Sequence, residues 1–234
     1  KMNYNANIIF RNKVTINGTN DNPVIIKRLS DNSVWGTVAI QGEKTNGSKL
    51  INVIMTGGSG YENKNNKYTG MLSLHKTENI LIKNLFLANN SVYDDAVHIV
   101  YSSVDLVNCV INDAYADALD IDLSSVNISN CKINNSKNDG IDSMSSKVVI
   151  KDCQITNSGD KGISVGENSD VTVVSTLLEG NVIGLENKDN SQTKLFRSKL
   201  FDNKIQLNSY SKNWQYGLGG KVKVLETKIL PIKN

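Results

Sequence analysis

The side chains best suited to proton transfer recur at a fixed interval in the middle of the chain. His98, Asp120 and Asp142 follow one another every 22 residues. Imidazole and carboxyl groups donate and accept protons when a fold holds them close together. We expect the two aspartates to serve as acid and base, and His98 to serve as a base or an orienting group.

A second series with the same interval contains Asp95, Asp117, Asp139 and Lys161. Lys161 joins the catalytic candidates, and the three aspartates, together with His75, are candidates for substrate binding. Aspartate also accepts hydrogen bonds from backbone N–H groups in turns. A purely structural role for the aspartate series therefore stays open.

Stacked carboxylates repel one another, and the repulsion needs relief. At a separation of about 5 Å, two such charges oppose each other by about 1–3 kcal/mol. A Ca²⁺ ion bound by Asp120, Asp122 and Asp142 would relieve it, since calcium takes several carboxylate oxygens. A raised pKa on one carboxyl, or a cationic ligand, would do the same. Calcium is the predicted metal, and the other two solutions remain alternatives.

The elements that must position these residues follow from the repeat itself. The three cysteines fall at 109, 131 and 153, and a small residue followed by an apolar one recurs in the same period, at Ala96, Ala118, Gly140, Gly162 and Gly184. Apolar residues alternate within each repeat, which indicates strands with one buried face. The sequence predicts an all-β fold: a single-stranded, right-handed parallel β-helix solenoid of 22 residues and three short strands per coil.

The whole chain, residues 1–234, is predicted to be one β-helix domain. Residues 1–48 form irregular N-terminal coils, residues 58–68 an excursion loop, residues 70–213 the regular coils, and residues 214–234 a C-terminal cap that includes Trp214 and Tyr216. A leucine-rich repeat has a similar period, but the chain lacks its strict Leu-Asn frame.

Composition narrows the classes of function. The chain has 33 asparagines, two prolines and a net charge of +3, and residues 94–160 alone contain eleven Asp and four Lys, a net charge of −7. No apolar run is long enough to span a membrane, and no phosphate loop or basic-aromatic pattern predicts nucleotide or nucleic-acid binding.

The cysteines are expected to stack inside the solenoid without a disulfide or zinc. Asn135 and Asn157 are expected to form an internal amide ladder.

The runs at residues 117–121 (Asp-Ala-Leu-Asp-Ile) and 159–164 (Gly-Asp-Lys-Gly-Ile-Ser) resemble right-handed β-helix proteins of the pectate-lyase-like superfamily. The resemblance covers residues 50–213 and implies that the chain acts on or binds polysaccharide. In lyases of this type a Lys or Arg base removes a sugar proton while Ca²⁺ neutralises the uronate, a role that Lys161 could fill. The Gly-His-Gly, Arg-Ile-Lys and Asp-Pro-His motifs of related hydrolases and epimerases are absent from the sequence.

Two functions are consistent with these patterns. The first is a non-catalytic, structural or adhesive module of a larger surface protein that binds polysaccharide or Ca²⁺ through its acidic residues. The second is a polysaccharide-processing enzyme, a lyase, glycoside hydrolase or epimerase, that uses the same residues. Either function implies a secreted or cell-surface protein whose partners are an extracellular polysaccharide and other domains of a longer chain.

Overall fold

A computed structural model describes residues 1–64 and 66–230. Its first sheet contains nine parallel strands, one from each successive coil. These strands are Ile8–Phe10, Val38–Gln41, Leu72–His75, Val97–Val100, Leu119–Asp122, Ile141–Met144, Lys161–Gly166, Ile183–Lys188 and Ile205–Tyr210.

The second sheet contains sixteen parallel strands, because most coils add two strands to it, whereas Lys49–Thr56 and Ile80–Ala88 are single long strands that take both places in their coils. They are Thr15–Asn17, Val24–Lys27, Lys49–Thr56, Ile80–Ala88, Ser103–Val107, Val110–Asn112, Ser125–Ser129, Lys132–Asn134, Lys147–Lys151, Gln154–Thr156, Asp170–Val174, Leu177–Glu179, Gln192–Phe196, Lys199–Phe201, Lys221–Leu225 and Lys228–Ile229. The described helices are two short 3₁₀ turns, Glu43–Thr45 and Trp214–Tyr216. None of the helices described is long and apolar enough to cross a membrane.

The strand register confirms the repeat. Val97 pairs with Leu119, Leu119 with Ile141, and Ile141 with Ile163. Each pair is 22 residues apart, so equivalent side chains of successive coils lie directly over one another. The predicted parallel β-helix with three short strands per coil is therefore confirmed.

The core lies between the sheets, and alternation along each strand fills it. The inward residues of the first sheet, such as Leu119 and Ile163, are fully buried. In Leu119–Asp122 they alternate with half-buried outward residues, whereas in Lys161–Gly166 the outward residue Ser164 is covered as well. An outward position in one coil must also be outward in the next, because the coils are in register. A column of functional side chains is thus created by the same register that builds the core.

Asparagine and aspartate make the corners of the coils. Asn89, Asp113, Asn135 and Asn157 each have a positive φ between 54° and 61°. These residue types tolerate the left-handed conformation better than most others. Eleven of the described asparagines have a positive φ, so these turns account for part of the high asparagine content.

Small polar residues form ladders inside the corners. Cys109 N–H donates to Cys131 Sγ, and Cys131 N–H donates to Cys153 Sγ. All three cysteines are buried and free, as expected. The prediction of an internal amide ladder at Asn135 and Asn157 is wrong, because both residues are exposed. A buried amide ladder joins Asn181 to Asn203 instead.

Two segments differ from the regular coil. Within the predicted excursion loop, Tyr61–Glu62 and Lys67–Tyr68 form an antiparallel pair, and Asn65 lies outside the described residues. At the C-terminus, Lys221–Leu225 and Lys228–Ile229 pair in parallel with the preceding coil, so the coil continues through the predicted cap. Trp214 is 83% exposed and does not cover the core. The last four residues of the predicted cap, 231–234, are outside the description, and the division into segments stays a prediction.

Candidate functional site

The outward side chains of the first sheet, from the strand Leu72–His75 to the strand Ile183–Lys188, form the surface that we call the acidic face. One column contains Ser73, His98, Asp120, Asp142 and Ser164. The column two residues along contains His75, Val100, Asp122 and Met144. The repeat therefore brings both histidines of the chain and three aspartates onto one face.

His98 is the centre of this arrangement. Its Nε2 atom lies 3.7 Å from Asp120 Oδ2 and 3.6 Å from Asp122 Oδ2. Its Nδ1 atom lies 3.1 Å from His75 Nε2, within hydrogen-bond distance. We call these four residues the His98 cluster. Both imidazole nitrogens of His98 thus face groups that can exchange protons.

His75 lies between Tyr68, which does not belong to the repeat, and His98, which does. Its ring lies 5.2 Å from the ring of Tyr68, a residue of the excursion hairpin, and packs edge-on against His98 at 4.9 Å. The Tyr68 hydroxyl donates to Gln41 Oε1. Burial, together with the neighbouring His98, lowers the pKa of His75 to about 4. A pKa this low leaves His75 uncharged near neutral pH, so it can contact His98 without adding charge, and a role of His75 in substrate binding stays a prediction.

The carboxyl of Asp120 has a strongly raised pKa. Burial raises its pKa to about 9, and the charges of Asp95, Asp122 and Asp142 act in the same direction. A carboxyl in this environment keeps its proton at neutral pH and can donate it. The raised pKa agrees with relief by protonation, one of the three alternatives for the stacked carboxyls, and a bound calcium ion and a cationic ligand remain the other two.

The Asp95, Asp117 and Asp139 series has a different environment. Asp117 Oδ1 accepts a hydrogen bond from Asp139 N–H, and Asp139 Oδ1 accepts one from Lys161 N–H. Asp95 and Asp139 are 2% and 4% exposed. Burial raises the pKa of Asp117, and it raises that of Asp95 and that of Asp139 to about 7. Asp117 and Asp139 join consecutive coils at a turn, and a role of the series in substrate binding stays a prediction.

Lys161 is paired with two acids. Its ammonium lies 3.7 Å from Asp139 Oδ1 and contacts Asp160 Oδ2 more closely. Burial disfavours the charged form, but the hydrogen bond to Asp160 and the charges of both acids outweigh it and raise the pKa of Lys161. A raised pKa is the opposite of what a general base at neutral pH requires.

The far end of the acidic face contains residues that the sequence did not single out. Lys188 Nζ donates to Ser164 Oγ at 2.9 Å and lies 3.9 Å from Glu186. Glu186 accepts from Asn208 Nδ2 at 3.0 Å. The 22-residue register places Ser164 and Glu186 in the His98 column, so this signal was available in the sequence. No comparable signal pointed to Tyr68 or Gln41.

The donor atoms suited to a metal differ from the predicted set. One atom each from His98, Asp120 and Asp122 lies within 4.8 Å of the others, and Asp142 does not belong to this group. Calcium prefers oxygen ligands, so an imidazole in place of a third carboxylate fits it less well. Calcium binding by Asp120, Asp122 and Asp142 stays a prediction.

Comparison with solved structures places the fold among proteins that act on polysaccharides. Pectate lyase Pel9A has a TM-score of 0.58 at 13% identity, with coverage of 99% of this chain and 65% of that one. The periplasmic alginate epimerase AlgG has a TM-score of 0.55 at 13% identity, with 97% and 61% coverage. The catalytic domain of a GH87 α-1,3-glucanase in complex with nigerose has a TM-score of 0.52 at 12% identity, with 98% and 59% coverage. The chain thus spans less than two thirds of each of these structures.

Sequence comparison gives a family assignment. No curated protein sequence matches the chain significantly. The family described as right-handed beta helix region matches residues 95–220, which is more than half of the chain and includes His98, Asp120, Asp122 and Asp142. Together with the strand register and the structural similarities, this match shows that the chain belongs to the right-handed β-helix family.

Proposed function

We propose that the chain binds an extracellular polysaccharide along the acidic face and cleaves it by acid–base catalysis at the His98 cluster. The observation that carries the proposal is the convergence of Asp120 and Asp122 on His98 Nε2, at 3.7 and 3.6 Å. Burial raises the pKa of Asp120 and lowers the pKa of His75, and perturbed pKa values gathered at one site are typical of a catalytic site. The polysaccharide-acting structural neighbours support this class of substrate.

The two carboxyls of the cluster suit different steps of glycosidic bond cleavage. Asp120 would protonate the leaving oxygen, while Asp122 would act as nucleophile or base and His98 would accept or orient a proton. An oxygen of Asp120 lies within 4.8 Å of one of Asp122. This is shorter than the roughly 6.5–9.5 Å that separates the carboxyls of an inverting pair, which favours retention of configuration over inversion. The pairing of Lys161 with Asp139 and Asp160 supports hydrolysis over a lyase reaction with Lys161 as the base.

A non-catalytic module is the second candidate, and one observation favours it. The buried carboxyl of Asp139 and the carboxyl of Asp117 are engaged with backbone N–H groups of the next coil. In that case the same face binds polysaccharide or Ca²⁺ and the solenoid is a rigid part of a longer surface protein. Both candidates place the chain outside the cell or at its surface, as the periplasmic location of one structural neighbour supports.

The test is a screen of neutral and acidic polysaccharides for new reducing ends and for unsaturated uronates. We expect cleavage by the wild-type chain and at least a 100-fold loss in Asp120→Asn, the magnitude typical of a lost general acid. Asp170→Asn is the matched control, since Asp170 is an exposed residue of the second sheet. Binding without any product would support the non-catalytic module, and the absence of both binding and cleavage would refute the proposal.

A further inference from the structure

We propose that the excursion hairpin closes one end of the acidic face, so that the polysaccharide is bound by one of its chain ends and is shortened by one or two sugars at a time. The inference rests on the proposed function, because it specifies where along its substrate the same site acts. The hairpin consists of the strands Tyr61–Glu62 and Lys67–Tyr68, and its residue Tyr68 contacts His75 of the His98 cluster.

The outward side chains at this end of the first sheet are covered. Ala39 and Ser73 precede His98 in its column, and both are fully buried. In the other column Gln41 is half-buried and His75 is 9% exposed. Because these positions point away from the core, their burial requires a further layer of chain on the outer side of the sheet.

Tyr68 belongs to that outer layer. Its ring lies 5.2 Å from the ring of His75, and its hydroxyl donates to Oε1 of Gln41, one coil earlier. Tyr68 therefore spans two coils on the outside of the first sheet, yet it is itself only 1% exposed. More of the chain must lie over it, so a glycan on the face cannot continue across these two coils.

Hydrogen bonds fasten the hairpin to the next coil. Ser91 N–H donates to the carbonyl oxygen of Gly58 at 3.0 Å. Tyr93 N–H donates to Ser59 Oγ at 3.0 Å, and the Tyr93 hydroxyl donates to Glu62 Oε2 at 3.2 Å. These bonds hold both the segment that leads into the hairpin and its first strand. The closed end of the face is therefore a fixed part of the fold.

The face is open on the other side of the hairpin. The side chains of Asp120 and Asp122 are 24% and 21% exposed. Farther along, Ser164 is covered by Lys188, which is itself a side chain of the face, and Tyr210 in the last strand is exposed again. A glycan can thus extend from the His98 cluster toward the last coil, whereas in the opposite direction it meets the hairpin.

The distance from the hairpin to the His98 cluster sets the length of the product. The ring centres of His75 and His98 are 4.9 Å apart, and Asp120 lies one coil beyond His98. Each strand, such as Leu119–Asp122, has only two outward residues, so the face is longest along the solenoid. Neighbouring coils are about 4.8 Å apart, close to the length of one sugar in an extended glycan, so about one or two sugars fit between the hairpin and the bond that Asp120 would protonate.

The experiment follows the length of the products over time. The probes are hexasaccharides of α-1,3-linked glucose, galacturonic acid and mannuronic acid, the polymers from which they derive, and any other polysaccharide that the screen shows to be cleaved. We expect products of one and two sugars from the first time point, while the viscosity of the polymer falls slowly. Longer products appearing first, with a rapid loss of viscosity, would overturn the inference and leave the proposed cleavage intact. If no substrate gives a product, cleavage itself is refuted and the inference fails with it.

Substitution of Tyr68 tests the role of the hairpin directly. Tyr68→Ala removes the ring that faces His75, and Tyr68→Phe is the matched control, because it keeps the ring and loses only the hydrogen bond to Gln41. We expect Tyr68→Ala to lengthen the main product by one sugar or to permit internal cleavage, and Tyr68→Phe to keep the wild-type products. If Tyr68→Ala fails to fold, the product lengths of the wild type decide. A folded Tyr68→Ala protein with wild-type product lengths would overturn the inference.

Discussion

Replacing Asp120 with asparagine should stabilise the metal-free protein at neutral pH, although it removes a residue of the candidate site. The carboxyl is buried to about three quarters and faces the charges of Asp95, Asp122 and Asp142. Asparagine has nearly the same shape and can still accept a hydrogen bond. It has no proton to lose, so it is free of the cost of keeping a carboxyl protonated.

The magnitude follows from the two pKa values of Asp120, 3.8 for the ordinary carboxyl and about 9 in the folded chain. At pH 7 the pH is about three units above the pKa of the carboxyl in the unfolded chain but below its pKa in the folded chain. Ionisation therefore stabilises only the unfolded chain, by about 1.4 kcal/mol for each of these units. The wild-type protein loses this free energy of unfolding progressively as the pH rises from 4. Asp120→Asn should therefore be more stable by up to about 4 kcal/mol at pH 7, and by less than about 1 kcal/mol at pH 4.

Urea denaturation between pH 4 and pH 8, with EDTA present, measures the difference. His75 titrates with the opposite sign, because its pKa is lowered to about 4, but it does so in both proteins and cancels in the comparison. Asp170→Asn, which replaces an exposed carboxyl of the second sheet, is measured beside it as the control. An Asp120→Asn protein that is equally stable or less stable at pH 7 would refute the argument that this carboxyl is held protonated.

Two further substitutions test the interior of the coils. Cys131→Ser should cost less than about 1 kcal/mol in urea denaturation, because a serine oxygen can accept from Cys109 N–H as Thr176 Oγ1 accepts from Cys153 N–H two steps further along the same ladder. A loss above about 3 kcal/mol would contradict this. Gly162→Ala should lower the free energy of unfolding by about 1–3 kcal/mol, because the added Cβ would lie 2.7 Å from the carbonyl oxygen of Gly184. An unchanged thermal midpoint would show instead that the two coils can move apart without cost.

The fold could be predicted from the sequence because one interval determines it. The cysteines, the small residues and the alternating apolar residues all share the 22-residue period, and the paired register of Leu119 and Ile141 has the same period. The columns containing His98 and Asp120 followed directly from that register. Side chains separated by one period must be neighbours in any parallel solenoid.

The remainder of the site depends on contacts that the period does not encode. Tyr68 reaches His75 from the excursion hairpin, which interrupts the repeat, so no spacing rule places it there. Lys161 pairs with Asp160, its neighbour in sequence, although its column predicted an orientation toward substrate. Side-chain direction at a turn depends on local backbone angles, and these were not available from periodicity. For the same reason, Asn135 was expected inside the solenoid and is exposed.

The corners with positive φ have a consequence for how such a chain can change in length. Asn108 and Asn130 occupy equivalent points of consecutive coils and have nearly the same φ, 55° and 54°. If one 22-residue repeat between such points were deleted or duplicated, the backbone would keep its direction at the new junction. The number of sugars accommodated by the face could therefore grow or shrink in whole steps through simple genetic events, without a new packing solution for the interior.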